Sequence, residues 1–361
     1  MNIQIQRDVL AEAMGLLGTV IPKRSPKPAL QCVRISAAEK VVLYGTNLET
    51  AIRYEVPAVV DKPGEVLIRA DLLGQIARAG RSDVFVMRAA EGGCEIVEED
   101  ARYNLYTMDP KGFPQAPVNE EEPDAVVSLE QLRSGLRRTE FAAATETSRY
   151  AIGGVFLKQG KGKALLVATD GRRLACCHVK DEAQMETKGI VPPKAVKALA
   201  GIPVEGEEPV RVTVRASQAW FACGPVSLTT NLVAGTFPDY EQIIPKDCPV
   251  KLRLNTAATL GAIRQAAALR SDERVGVKLS LSKGRVSFEL FGDRQLAASA
   301  SVPVPYKGQK MEIGFNPQYV TDALQVIEDE EFDLELSGPT SPALIRAEGD
   351  FLYVFMPINL S

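Results

Sequence analysis

The sequence predicts an α+β protein built from three copies of one domain. Three observations carry this. A short strand followed by a helical stretch occurs three times, as NIQIQRDVLAEAMGLLG from Asn2, AVVSLEQLRSGLRRTEFAAA from Ala125 and VKLRLNTAATLGAIRQAAALR from Val250, with starts 123 and 125 residues apart. A second strand–helix piece follows inside each copy, as GEVLIRADLLGQIARAG from Gly64, KGIVPPKAVKALAG from Lys188 and KMEIGFNPQYVTDALQVI from Lys310, 124 and 122 residues apart. Finally, TNLE at Thr46 precedes TDGR at Thr169 by 123 residues, and Phe113 of KGFP precedes Phe237 of GTFPDY by 124. A period near 123 is too long for a solenoid and means a triplicated domain.

The copies run over residues 1–123, 124–248 and 249–361. Their joints are acidic or proline-rich, NEEEP at 119–123 and PKDCP at 245–249. Between the two strand–helix pieces of a copy lie short strands with turn signals, the pattern of antiparallel sheet. Each domain therefore holds two helices and two small antiparallel sheets. The first helix carries Asp8 and Glu12; the others are expected over 71–80, 129–144, 193–200 and 257–270, with the last around Asp322. Ser128 with Gln131 resembles a capping box. Pro193 and Pro317 suit first helical turns, and Gly80 and Gly201 suit helix ends. The apolar strand at 165–168 stops at Thr169-Asp170-Gly171, and Asp-Gly between apolar runs is an ordinary hairpin turn.

Composition narrows the function. The chain has 361 residues, 45% hydrophobic and 24% charged, and a net charge of −4. There is no overall basic signature. No apolar run approaches the roughly 18 residues of a membrane span. No charged region followed by an apolar stretch opens the sequence, so no secretory signal is expected. Cysteines stand at 32, 94, 176, 177, 223 and 248 without a Cys-x-x-Cys pair, and read as reduced, mostly buried thiols of a cytoplasmic protein.

Positive charge gathers on helices: Arg78 with Arg81, then Arg133, Arg137 and Arg138, then Lys194 and Lys197, then Arg264 and Arg270. Arg133 and Arg137 share a helix face by spacing. Acids cluster instead in loops and strand ends, at 98–100, 120–122, 205–208 and 328–331. Alanine-rich helices with arginines on one face suit contact with phosphates without base readout. Signs of catalysis are missing. The single histidine, His178, lies mid-strand; GKGK at 160–163 lacks phosphate-loop spacing; Asp170 has no second carboxylate nearby for a metal. No cofactor and no metal are expected.

ATDGRRLACC, TTNLVAGTFPDYEQIIPKD, MEIGFNPQYV and YVFMPINL, in that order, resemble the bacterial sliding-clamp family, the beta subunits of DNA polymerase III. The resemblance spans the whole chain. It implies a head-to-tail homodimeric ring of DNA-clamp domains that encircles duplex DNA, with helices lining the hole, and that tethers polymerase subunits and other partners. An ATP-driven clamp loader would open the ring. The implied partner pocket is walled by Ile152, Thr169, Gly171, Arg172, Arg173, Leu174, Pro238, Gln242, Ile243, Val354, Phe355, Met356, Pro357 and Ile358, with Thr169 and Arg173 steadying the peptide backbone. DNA contacts would add Arg24 and Tyr150 to the helix cations. The ring seam would join Ile76 and the edge strand with Arg102, Tyr103, Leu105 and Thr107 to Ala268 and Leu269 of the other copy. Arg172 stands where the family often has His, Gln242 where relatives can carry Arg, and Ala151 replaces a second tyrosine. Two other classes stay open on the residues alone: a peptide-gathering scaffold that does not encircle DNA, and a hydrolase using Asp170 or His178.

Overall fold

The computed structural model describes residues 1–360 apart from 91, 146–150, 161, 181, 183–185, 205, 207, 270–275 and 292–296. Among the described residues lie six α-helices: α1 Arg7–Leu17, α2 Ala70–Ala79, α3 Leu129–Thr139, α4 Pro193–Ala200, α5 Thr256–Ala266 and α6 Pro317–Gln325. They fall two to a repeat, each directly after a strand. Pro193 and Pro317 take first-turn positions, where a missing N–H costs nothing. Asn255 and Asn316 cap α5 and α6 by accepting the N–H of Ala258 and Gln318, at 2.9 and 3.0 Å.

Two helices, α3 and α5, end earlier than the sequence suggests, at Thr139 and Ala266. α3 stops at Thr139, whose hydroxyl turns back to the carbonyls of Gly135 (2.8 Å) and Leu136 (3.3 Å), and a 3-10 turn Glu140–Ala142 follows. Gly80 and Gly201 do follow helices, but with φ of −59° and −94° they are not left-handed caps. Gly80 is required for space, because a Cβ there would sit 2.3 Å from Cζ of Phe85.

The chain packs as two compact units. The first comprises Met1–Arg133, Gln159–Gly162 and Lys180–Ala234; the second comprises Ser134–Lys158, Lys163–Val179 and Gly235–Ser361. The middle repeat is thus divided between them. The reason is strand pairing. In the first unit, Val226–Asn231 pairs antiparallel with Thr50–Val56, fusing sheets of the first and middle repeats into one of thirteen strands. In the second unit, Arg173–Lys180 pairs antiparallel with Phe351–Phe355, which continues through Ala343–Ala347 and Glu331–Leu336 to Val250–Asn255. A separate sheet in that unit runs Ser299–Pro303, Arg285–Phe291, Gly276–Ser282, Met311–Phe315. Backbone N–H and C=O groups at a repeat's edge strand are satisfied by the next repeat, which leaves no open edge at these junctions.

Helices cover the sheets: α1 packs on α2, and α5 on α6. Phe113 and Phe237, the equivalent residues of two repeats, are both buried. Phe113 meets Tyr44 edge-on at 5.8 Å, and Phe237 stacks on Phe156 at 4.8 Å. These aromatics pin the segments that lead out of each repeat. Among the described residues no helix is long and apolar enough to cross a membrane.

Candidate functional site

The Thr-Asp-Gly hairpin is built as its counterpart in the first repeat is. Thr46 Oγ1 donates to the carbonyl of Thr50 (3.0 Å), and Thr169 Oγ1 to that of Arg173 (2.7 Å). Asn47 accepts from the N–H groups of Glu49 and Thr50; Asp170 accepts from those of Arg172 and Arg173. Gly171 (φ 86°) and Leu48 (φ 78°) hold the same left-handed position. Asp170 is therefore a turn residue in its backbone contacts, as the turn reading of Asp-Gly predicts.

What distinguishes the second hairpin is Arg173. Strand alternation puts Leu174, Val354 and Met356 on one sheet face and Arg173, Tyr353 and Phe355 on the other. The Arg173 side chain, 13% exposed, reaches toward α6. Nε donates to Asp170 Oδ2 (3.0 Å), Nη1 to Asp322 Oδ2 (2.6 Å) and Nη2 to the carbonyl of Phe141 (2.7 Å). Its guanidinium carbon also lies 4.8 Å from the ring centroid of Tyr319. Burial opposes the positive charge, but the bond to Asp322 and the nearby Tyr353 and Asp170 outweigh it, so the guanidinium is held protonated even more firmly than usual. Arg173 and Thr169, expected to steady a peptide, are both engaged within the chain. Arg173 lies on the helix side of the sheet, and the Thr169 hydroxyl is consumed inside the hairpin, accepting from Gly171 N–H as it donates to Arg173. Phe355 is likewise a core residue, edge-on to Phe315 at 5.9 Å.

The opposite face carries Leu174, Val354 and Met356, and all fourteen expected residues lie in the second unit. Leu174 and Val354 form a buried floor; Ile152 is also buried. Gly171, Arg172 and Gln242 are exposed, and Pro238, Pro357 and Ile358 are partly so. Ile243 is 46% and Met356 43% exposed, the large apolar side chains left uncovered here. The turn Tyr240–Ile243 runs over this same face, since Tyr240 and Ile244 with Cys176, His178 and Leu352 line an adjoining hollow of about 730 Å³. Met356 N–H donates to the carbonyl of Arg172 (2.9 Å), and Ile358 N–H to that of Gly314 (2.8 Å). Gly314 permits this approach: a Cβ there would lie 2.7 Å from the Ile358 oxygen. The sequence reading missed Gly314, Tyr319 and Asp322. A glycine inside a strand is the one signal that pointed to the first.

The cationic helices are only partly free. Arg24, Arg78, Arg81, Arg137, Lys194, Lys197 and Arg264 are exposed. Arg133 is not: its guanidinium donates to the carbonyls of Ile202 and Val204. The face it shares with Arg137 by spacing therefore carries one outward charge, and Arg137 pairs with Glu328 at 3.4 Å. Arg138 is half-buried and donates to the carbonyl of Glu348. Tyr150 and Arg270 lie outside the described residues.

The expected seam residues differ in exposure. Strand Arg102–Met108 pairs with Gly93–Val97 along 102–106 and with Gly64–Arg69 only at 107–108, so its far flank is open over 102–106. Arg102 faces out, but Tyr103, Leu105 and Thr107 point to the half-buried side. Tyr106, 93% exposed, is on the outward side with Asn104 and Met108. Ile76 is buried and Leu72 is the exposed apolar residue of that helix. Ala268 and Leu269 are exposed. Tyr103 instead donates to Glu98, which also accepts the N–H groups of Arg81 and Ser82. The bond from Ser82 is the main cause holding the Glu98 carboxyl below its ordinary value, against desolvation. A carboxyl depressed by folding stabilises above its unfolded pKa, about 4.3, and that contribution is lost as pH falls through the folded value. The Tm gap between wild type and Glu98→Gln should thus be widest near neutrality and close as pH drops below about 4, read by thermal circular dichroism.

All six cysteines are buried thiols. Burial pushes Cys94 up to about 11 and Cys176 up to about 12, so neither is an activated nucleophile at neutral pH. Among the described residues no group of His, Cys, Asp and Glu could hold a metal ion.

Fold and site together define a class: a triplicated α+β scaffold with exposed cationic helices and an apolar cleft beside a hairpin tip. Known proteins agree with that class. Family models for the N-terminal, central and C-terminal domains of the DNA polymerase III beta subunit match residues 1–117, 126–239 and 241–359. The beta sliding clamp of Pseudomonas putida is 31% identical over the full length of both chains, and that of Pseudomonas aeruginosa 30%. A crystal structure of the Pseudomonas aeruginosa clamp bound to griselimycin matches with a TM-score of 0.91 at 30% identity, covering both chains fully. The Bacillus subtilis clamp structure shares the fold with a TM-score of 0.92 at 24% identity. The chain belongs to the DNA polymerase III beta subunit family, the bacterial sliding clamps. Its function is that of a replicative processivity clamp rather than an enzyme.

Proposed function

We propose that this clamp closes head-to-tail with a second copy around duplex DNA and captures its partners in the cleft between the 169–173 hairpin and the Met356–Ile358 segment. The carrying observation is the exposure of Met356 and Ile243, two large apolar side chains, on the segments that flank buried Leu174 and Val354. Such a surface takes leucine and phenylalanine anchors, and methionine adapts to them. Clamp loader, polymerase subunits and other partners would all present a short peptide there. Within it Thr169, Arg173 and Phe355 support the hairpin and the core, while Gly171, Arg172, Pro238, Gln242, Pro357 and Ile358 face the peptide.

Arg24, Arg78, Arg81, Arg137, Lys194, Lys197 and Arg264 serve as the sequence-blind DNA contacts, with Tyr150 and Arg270 alongside them. Phosphate contact without base readout lets a ring slide, and excess acid elsewhere keeps DNA off the other surfaces. The domains are 1–123, 124–248 and 249–361. The seam joins the edge strand carrying Arg102, Tyr103, Leu105, Tyr106 and Thr107, together with Leu72 and Ile76 of α2, to Ala268 and Leu269 of the second copy. A cytoplasmic location follows from this role. Fluorescence anisotropy with a labelled peptide of the Gln-x-x-Leu-Phe type tests the reading. Saturable binding supports it. Absence of binding means either that Arg172 and Gln242 have changed the peptide code or that the cleft has another role, and peptides from the organism's own polymerase decide between these.

A further inference from the structure

We propose that Asp322 is a positioning residue for partner capture: by gripping Arg173 it holds the 169–173 hairpin tip where the cleft can accept a peptide. The inference rests on the peptide-cleft reading above. Asp322 lies on α6 and reaches the hairpin through Arg173.

The chain of contacts runs from helix to cleft mouth. Gln318 Nε2 donates to Asp322 Oδ1 (2.5 Å), fixing the carboxylate on its own helix face. Asp322 Oδ2 accepts from Arg173 Nη1 (2.6 Å), and the same guanidinium holds Asp170 and the Phe141 carbonyl. Asp170 in turn accepts the N–H groups of Arg172 and Arg173, shaping the tip. The Arg172 carbonyl then receives Met356 N–H, which sets the opposite wall. One planar fork thus ties α6, the turn after α3 and the hairpin together, and the short ammonium of lysine could not span all three. Charge-assisted bonds with partners this sheltered hold position better than surface pairs do.

The first repeat provides an internal comparison. Thr50, 123 residues before Arg173, ends the equivalent hairpin. It meets Thr230 through a neutral hydroxyl pair at 2.9 Å. The turn is the same, so hairpin stability does not call for an arginine. Two carboxylates around one guanidinium also mean that Asp322→Asn leaves Arg173 paired with Asp170, and the fold should survive.

The test measures binding of the labelled Gln-x-x-Leu-Phe peptide to full-length wild type, Asp322→Asn, Arg173→Lys and the double variant. Asp333→Asn, which removes a surface partner of Arg253, serves as control. Each single change should raise Kd about ten-fold, the scale of one charged hydrogen bond. The double variant should bind no worse than either single, because both break one link. Dimer mass should stay at the wild-type value throughout, and Tm should stay there in Asp322→Asn. Additive effects, or unchanged affinity in Asp322→Asn, overturn the proposal. If affinity and Tm fall together in Asp322→Asn, the residue is merely structural and the proposal fails too. Met356→Ala separates the two readings: weakened binding there with normal binding in Asp322→Asn sinks only this inference, whereas failure of wild type to bind sinks both.

Discussion

Deleting residues 357–361 should abolish saturable binding of the Gln-x-x-Leu-Phe peptide while leaving a folded dimer. Strand Phe351–Phe355 stays paired with Arg173–Lys180 and Ala343–Ala347, so the sheet keeps its ladder. Among the described residues the deleted segment makes one isolated backbone bridge, between Ile358 and Gly314. It does supply one wall of the cleft, and without it the apolar floor opens to water. Met356→Ala is the milder version. Full burial of a methionine side chain stabilises by about 1.5–3 kcal/mol, so affinity should fall roughly ten- to a hundred-fold. Anisotropy reads the affinity and sedimentation reads the dimer. Wild-type affinity in the truncated chain would remove the C-terminal segment from the site. Loss of both peptide binding and dimer would indicate misfolding, because cleft and seam use different residues.

Leu269→Glu should split the dimer. Leu269 is 46% exposed just beyond α5, next to exposed Ala268, and Tyr106 is 93% exposed on a strand with an open flank. Large apolar side chains exposed together mark association surfaces, and an unpaired carboxylate buried in such a seam costs several kcal/mol. The expected result is a species of 39.1 kDa, one chain, in sedimentation at micromolar concentration. Peptide binding should persist, since all cleft residues belong to one chain. Tyr106→Glu should act in the same way. Ile76→Ala, by contrast, removes a buried residue and should lower Tm more than it shifts the association equilibrium. A Leu269→Glu protein that remains dimeric would place the seam elsewhere.

Much of this protein was legible in its residues. The period near 123 recurs at every helix and at both hairpins, because one domain plan demands the same turns and apolar spacings each time. The family pattern named segments that all fall in the second unit. Side-chain direction was harder. Arg173 and Leu174 are neighbours on a strand and must face opposite ways, but only the assembled sheet reveals which face is the cleft. Arg133 and Arg137 share a helical face by spacing, yet Arg133 turns to the carbonyls of Ile202 and Val204. On strand Arg102–Met108 the alternation was visible in the sequence, and the structure sets Tyr103, Leu105 and Thr107 on the half-buried side.

By itself the sequence determined the triplication, the helices with most of their boundaries, the Asx turns and the absence of phosphate-loop and Cys-x-x-Cys motifs, since all of these depend on neighbours within a few residues. The tertiary structure alone decided that the middle repeat is shared between two sheets, that Gly80 and Gly314 stand where a Cβ would collide, and that Arg173 serves α6. Arg173 and Asp322 are 149 residues apart, and such a partner is chosen by how strands and helices pack, which local spacing does not encode.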